Sequence, residues 1–146
     1  MTLLPGRKDR DRNLIQDLKT VREEGMNRIV SLLTENEYSE YGVPDIKAEY
    51  QREGFDPIFF PIMDQRAPAD RKALESLLDL MDSELGRGRN ILIHCVGGLG
   101  RSGTVAAAYL IRREGYGVEE AIRVVREARS ERAIESREQE EFLRSL

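Results

Sequence analysis

Apolar positions along the chain change their spacing several times, and each change predicts an element. Leu14, Ile15, Leu18 and Val21 recur at helical spacing behind Asn13, a good capping residue, and Gly25 ends the segment. Arg28 to Leu33 carries Ile29, Val30, Leu32 and Leu33 in one short apolar block, which predicts a buried strand. Thr34 and Glu37 stand at capping-box spacing for a short helix through Tyr41. Gly42 to Pro44 break it, and Asp45 is placed to cap another short helix containing Ile46, Ala48 and Tyr50. Phe55 to Ile62 is aromatic and β-branched and predicts a strand, with Pro57 and Pro61 confining regular pairing to its middle.

Met63 to Pro68 reads as a loop. From Ala69, residues Leu74, Leu77, Leu78 and Met81 return to helical spacing until Gly86 and Gly88, and Asn90 to His94 predicts the next strand. A glycine-rich run follows, and behind it Val105 to Ile111 is apolar nearly all round, as expected for a helix in the middle of the fold. Val118, Ala121, Ile122, Val125 and Ala128 mark an amphipathic helix, and a last one starts near Ser136 with Phe142 and Leu143 turned inward. At the other end, Thr2 to Leu4 predicts a short edge strand and Arg7 to Arg12 a solvated charged link. Strands alternating with helices predict an α/β fold, a central mostly parallel sheet flanked by helices. The strand before the glycine-rich run is expected to be both the last in sequence and the central one.

Composition narrows the class. At 146 residues, 1–146 is expected to be a single domain that buries roughly two thirds of its unfolded surface. Apolar content of 40% and charged content of 34% fit a globular protein, and a net charge of −4 speaks against a nucleic-acid binder. The one cysteine cannot form an internal disulfide, and Met1 to Arg12 has no apolar run ahead of its basic residues. A cytoplasmic location is therefore expected. The longest apolar run, Val105 to Ile111, is too short to span a bilayer, so no membrane association is expected.

The candidate chemistry lies in His94-Cys95-Val96-Gly97-Gly98-Leu99-Gly100-Arg101-Ser102-Gly103-Thr104, which holds the only histidine and the only cysteine. Strand, glycine-rich turn and helix in succession aim backbone N–H groups and a helix N-terminus at one spot, which suits an anion. Gly98-x-Gly100-x-x-Gly103 matches a dinucleotide fingerprint, but no second strand ending in an acid follows the helix. The P-loop reading fails because Thr104 stands where its lysine must be. One histidine beside one cysteine cannot supply a zinc ligand set, and no metal or other cofactor is expected, although a carboxylate-only magnesium site stays open. Neighbouring strand residues also start on opposite faces, so His94 suits holding the loop backbone better than pairing with Cys95 as a base.

Cys95 as nucleophile toward a phosphate monoester remains. A thiol among oriented N–H groups, a helix N-terminus and Arg101 is expected to favour the thiolate, in the range of about 3.5 to 7.5 known for such settings. Arg101 can grip two phosphoryl oxygens at once, and Ser102 can donate to the sulfur as the phosphoenzyme breaks down. The cradle is then Val96, Gly97, Gly98, Leu99, Gly100 and Arg101.

The run His94-Cys95-x-x-Gly98-x-Gly100-Arg101-Ser102 resembles the H-C-x-x-G-x-x-R-[ST] signature of the cysteine-dependent tyrosine and dual-specificity protein phosphatases. Leu4-Pro5-Gly6, Tyr41-Gly42-Val43-Pro44 and Phe60-Pro61-Ile62-Met63-Asp64 are similar to the kinase-associated phosphatase branch. The resemblance implies a dual-specificity phosphatase-like fold, a phosphocysteine on Cys95 and phosphorylated protein or peptide substrates. It also places a general acid at Asp64, which sits in the loop between Pro61 and Pro68. Asp70 competes but falls at the start of a helix, where acids are common, while Asp56 lies in a strand and Asp45 before a helix.

Ile134 to Gln139 resembles the family segment that positions the hydrolytic water, departing from it at Glu135; Gln139 inherits that role, yet Ser136 and Gln139 also make a capping box. Arg123, Arg126, Arg129 and Arg132 either rim the site or form a solvated face paired with glutamates. No aromatic pocket-deepening loop is evident, which implies a shallow site open to phosphoserine and phosphothreonine as well as phosphotyrosine. No lysine lies between Cys95 and Arg101, unlike phosphoinositide phosphatases. A catalytically silent phosphoresidue-binding module and a sulfur-carrier or arsenate-reducing thiol enzyme are the rival readings, the latter weakened by the absence of a second cysteine.

Overall fold

The computed structural model describes residues 1–146 as seven α-helices around a three-stranded parallel sheet. In chain order these are α1 (Leu14–Glu23), β1 (Arg28–Ser31), α2 (Glu35–Glu40), α3 (Ile46–Arg52), β2 (Asp56–Phe59), α4 (Arg71–Gly86) and β3 (Ile91–His94). Three helices close the chain: α5 (Gly100–Arg112), α6 (Val118–Ala128) and α7 (Arg137–Arg144). The strands run in the order β2-β1-β3, with Ser31 opposite Phe59 on one side and His94 on the other. The last strand is therefore not the central one. β1 holds the middle because Ile29 and Val30 are both fully buried, whereas β2 exposes both of its ends.

Both strands before the site are shorter than their apolar blocks, because after Ser31 and Phe59 the chain continues to pair only singly. Phe60 N–H donates to Ser31 O and Ile62 N–H to Leu32 O, each at 2.9 Å. The expected N-terminal strand reduces to one parallel bridge between Thr2 and His94 beside β3, extended by Leu4 N–H to Val96 O at 2.9 Å. The charged link contains a short 3-10 helix, Lys8–Arg10.

Local chemistry explains the helix starts. Asn13, Asp70 and Ser136 each accept from a first-turn N–H, of Gln16, Ala73 and Gln139 respectively. Asp45 precedes α3 but makes no side-chain cap. α5 is buried along most of its length and packs against β3, α4, α6 and α7, as its apolar surface predicts. Leu74 and Leu78 of α4, Ile122 of α6 and Leu143 of α7 join Val105 in one core of 29 residues, each such side chain contributing about 1.5–3 kcal/mol when buried. Phe142 is only half-buried at its edge. No helix is long and apolar enough to cross a membrane. Since all strands are parallel, the segments after β1, β2 and β3 leave the sheet at one edge, where α/β folds place their sites.

Candidate active site

Cys95 follows β3 directly and lies on a five-residue turn, Cys95 to Leu99, that ends at the first residue of α5. Leu99 offers no side-chain cap, so the opening N–H groups of a 13-residue helix stay free at the turn. The Gly98 N–H donates to Cys95 Sγ at 3.2 Å. Gly98 has a φ of +69°, and a Cβ there would lie 2.2 Å from Thr2 O, so the close approach of the N-terminal segment requires glycine.

The carbonyls of Val96, Gly97 and Gly98 are held by arginines outside the turn. Val96 O accepts from Leu4 N–H and from Arg7 Nη1 at 3.2 Å, while Arg129 donates to Gly98 O at 3.1 Å and Gly97 O at 3.2 Å. A peptide plane whose carbonyl is tied down cannot rotate its N–H freely. Arg7 and Arg129 thus fix the loop's peptide orientations, a role the sequence does not signal because both lie far from the motif.

His94 is fully buried. Its Nδ1–H donates to Cys95 O at 3.1 Å, which leaves Nε2 to accept from Tyr50 O–H at 2.7 Å. Burial lowers the imidazole pKa to about 4, the nearby Arg101 adding to the effect, so the ring is neutral. The ring thus holds the backbone at Cys95. Tyr50, a core residue of α3, is its unforeseen partner.

Arg101 is 2% exposed. Its Nη1 donates to Glu37 Oε1 at 2.7 Å and to Ile62 O at 2.9 Å, and Nη2 donates to Glu37 Oε2 at 2.9 Å. Those bonds consume three of five guanidinium protons and leave Nε–H with one Nη2–H, an adjacent pair that matches two oxygens of a phosphoryl group. Burial opposes the charge of Arg101, but the paired Glu37 outweighs it and the pKa is raised; for the same pair Glu37 is lowered despite its own burial. Glu37 is a capping residue in the sequence. It does take up Thr34 N–H and Oγ1–H, each at 2.9 Å, yet its larger task is to hold Arg101.

Asp64 is in the loop after β2 with its side chain 67% exposed, Oδ1 lying 3.5 Å from Arg101 Nη2 and accepting from Gln65 N–H at 3.0 Å. Asp64, Cys95 and Arg101 line one cleft of about 500 Å³, together with Val96, Gly97, Leu99 and Gly100. Gly98, expected in the cradle, packs against Thr2 and donates its N–H to the sulfur. Asp70 caps α4 and Asp56 lies in β2; neither lines the cleft. Glu135 does line it and accepts from Gln65 Nε2 at 3.0 Å.

The Ser102 hydroxyl is fully buried and makes no hydrogen bond, to the sulfur or to any other group. Gln139 is fully buried too: Oε1 accepts from Glu135 N–H and Ser136 N–H, and Nε2 donates to Arg66 O at 3.1 Å. The capping role is thus formed. Of the four arginines considered for the rim, Arg123 pairs with Glu127, Arg126 pairs with Glu140, Arg129 holds the loop and Arg132 lines the cleft.

Residues 14–146 match the family model described as the dual specificity phosphatase catalytic domain. The chain belongs to the dual-specificity phosphatase family. It is 34% identical over 143 residues to cyclin-dependent kinase inhibitor 3 of Homo sapiens, covering 96% of this chain and 67% of that protein. The rat protein of the same name is 33% identical over the same shares. Among solved structures, kinase-associated phosphatase with serine in place of its catalytic-site cysteine superposes at a TM-score of 0.91, with 33% identity, over 97% of this phosphatase and 80% of that chain. Tk-PTP in its active form gives 0.81 with 31% identity, over 99% and 85%. These matches support protein phosphatase activity for the dual-specificity domain.

Proposed function

We propose that the chain is a single catalytic domain that hydrolyses phosphotyrosine and phosphoserine or phosphothreonine in proteins through a phosphocysteine. The observation that carries this reading is one cleft holding the Cys95 sulfur, the half-free guanidinium of Arg101 and the solvent-facing carboxyl of Asp64. The Cys95 thiolate attacks phosphorus, forming the S–P bond as the ester P–O bond breaks. Asp64 gives its proton to the departing oxygen. The Nε–H and free Nη2–H of Arg101, with the opening N–H groups of α5, stabilise the charge on the equatorial oxygens. In the second step the Asp64 carboxylate takes a proton from water as that water attacks phosphorus, the S–P bond breaks, and the unpaired Ser102 hydroxyl is available to donate to the departing sulfur. No metal enters either step. A cytoplasmic setting suits a free nucleophilic thiol.

Cys95→Ser is expected to lower aryl phosphate turnover by about 10⁴-fold or more while oxyanion binding persists. Full activity in that variant refutes the mechanism, and turnover lost to EDTA and restored by magnesium refutes its independence of metal. Asp64→Asn is expected to slow alkyl phosphates far more than activated phenyl phosphates. If Glu135→Gln produces that pattern and Asp64→Asn does not, the acid is Glu135, the other carboxyl in the cleft.

A further inference from the structure

The cleft carries more positive charge than a single phosphoryl group needs. Five guanidinium groups line it: Arg7, Arg10, Arg12, Arg101 and Arg132. Three are committed within the protein. Arg7 forks onto Asp9 and also reaches Val96 O, Arg12 forks onto Asp17 at 2.8 and 2.6 Å, and Arg101 is held by Glu37. Arg10 and Arg132 have no carboxylate partner and no side-chain hydrogen bond, although Asp9, Asp11 and Glu131 adjoin them in sequence. Arg10 ends the 3-10 helix near the N-terminus and Arg132 lies between α6 and α7, so two remote segments bring unpaired cations to one cleft. The chain as a whole is acidic, with a net charge of −4, so a generally basic surface does not explain them.

We propose that Arg10 and Arg132 form a second anion subsite at the mouth of the cleft, selecting phosphopeptides that carry a further anionic side chain beside the scissile phosphoester. The planar fork of arginine matches carboxylate and phosphoryl oxygens alike, and an exposed guanidinium without an internal partner has no ion pair to break when such a group arrives. Both arginines stand in water, so the subsite ranks substrates and speeds encounter without contributing to the chemical step. The carboxylates of Asp64 and Glu135 line the same cleft and repel a second anion, which leaves the two free arginines as its receptors. This assignment rests on the phosphatase reading above.

The test compares three probes: p-nitrophenyl phosphate, a phosphothreonine peptide flanked by alanines and the same peptide flanked by glutamates. The native chain is expected to favour the glutamate peptide by about three- to tenfold in kcat/KM at low salt, with the preference fading as salt is raised. The double variant Arg10→Ala, Arg132→Ala is expected to lose that preference while its p-nitrophenyl phosphate turnover stays unchanged. An equal preference in the double variant, or none in the native chain, overturns the subsite. So does a stronger preference for a phosphoinositide headgroup in phosphatidylcholine vesicles than for either peptide. Absence of p-nitrophenyl phosphate turnover in the native chain counts against the phosphatase reading instead, and binding of the two peptides to Cys95→Ser then decides the subsite alone.

Discussion

The floor and the mouth of the cleft are built on opposite terms. On the floor, Arg101, His94 and Cys95 are almost wholly buried, and Arg101 and His94 are tied to Glu37, Ile62 O and Tyr50. At the mouth, Asp64 is 67% exposed and Arg10 and Arg132 have no partners. On the proposed mechanism, the groups that hold one geometry through the reaction are the buried and paired ones, because a loose dipole loses part of its effect to reorientation. The groups to which that mechanism gives a change of protonation or a contact with varied substrates stand in water, where a proton or a new partner arrives at little cost.

Changing the floor is expected to have the larger effects. Arg101→Lys replaces a fork by a point charge that cannot serve Glu37 and two phosphoryl oxygens together, and should lower kcat by about 10³-fold. Retention of activity within a few-fold would place the transition-state charge on the backbone N–H groups alone. Glu37→Gln leaves a buried guanidinium without its counter-charge and should cost about 3 kcal/mol of stability, read as a fall in the denaturant midpoint.

Acid should weaken the floor in the same way. His94 titrates at about 4 in the folded chain and near 6.5 when unfolded. Between those values the unfolded chain binds a proton that the folded chain does not, so stability falls as pH drops from about 6.5 toward 4, by about 3 kcal/mol. Glu37, with its folded pKa lowered, adds stability above its unfolded pKa that is likewise lost as pH falls through the folded value. Chemical denaturation at pH 7 and pH 5 measures the slope, and a variant with His94→Asn should show a shallower one.

The mouth should respond least in stability. Asp64→Asn and Glu135→Gln are each expected to move the unfolding free energy by no more than about 0.5 kcal/mol, whatever they do to turnover. A larger loss would show the mouth to be as structural as the floor.

Much of this division is legible in the chain. Helices α1, α4, α5, α6 and α7 stand where apolar spacing, with Asn13 and Ser136 as caps, places them, because caps and periodicity are local properties. The candidate cradle is equally local, since strand, turn and helix are adjacent in sequence. The place of Asp64 in a loop beside the cleft was within reach through its family phrase and the flanking Pro61 and Pro68. Gln139 and Ser102 show the limit of that approach: a family role can be carried to a residue, but Gln139 is bonded to Glu135, Ser136 and Arg66, and the Ser102 hydroxyl is buried with no partner.

Strand order was not legible, because β1 and β3 are equally apolar blocks with the same pattern of burial, and only the pairing of β1 on both sides separates centre from edge. Nor were the partners of the reacting groups. Glu37 reads as a cap, Tyr50 as core, Arg7 and Arg129 as surface charge, and each acquires its task from a contact across at least thirty residues of chain. By itself the sequence determined which elements form and which short run is the candidate anion cradle, since spacing, capping and glycine content act over a few residues. Tertiary structure alone decided which arginine is anchored, which tautomer His94 adopts and which two cations remain free, because pairing of charges is settled by the segments that packing brings together.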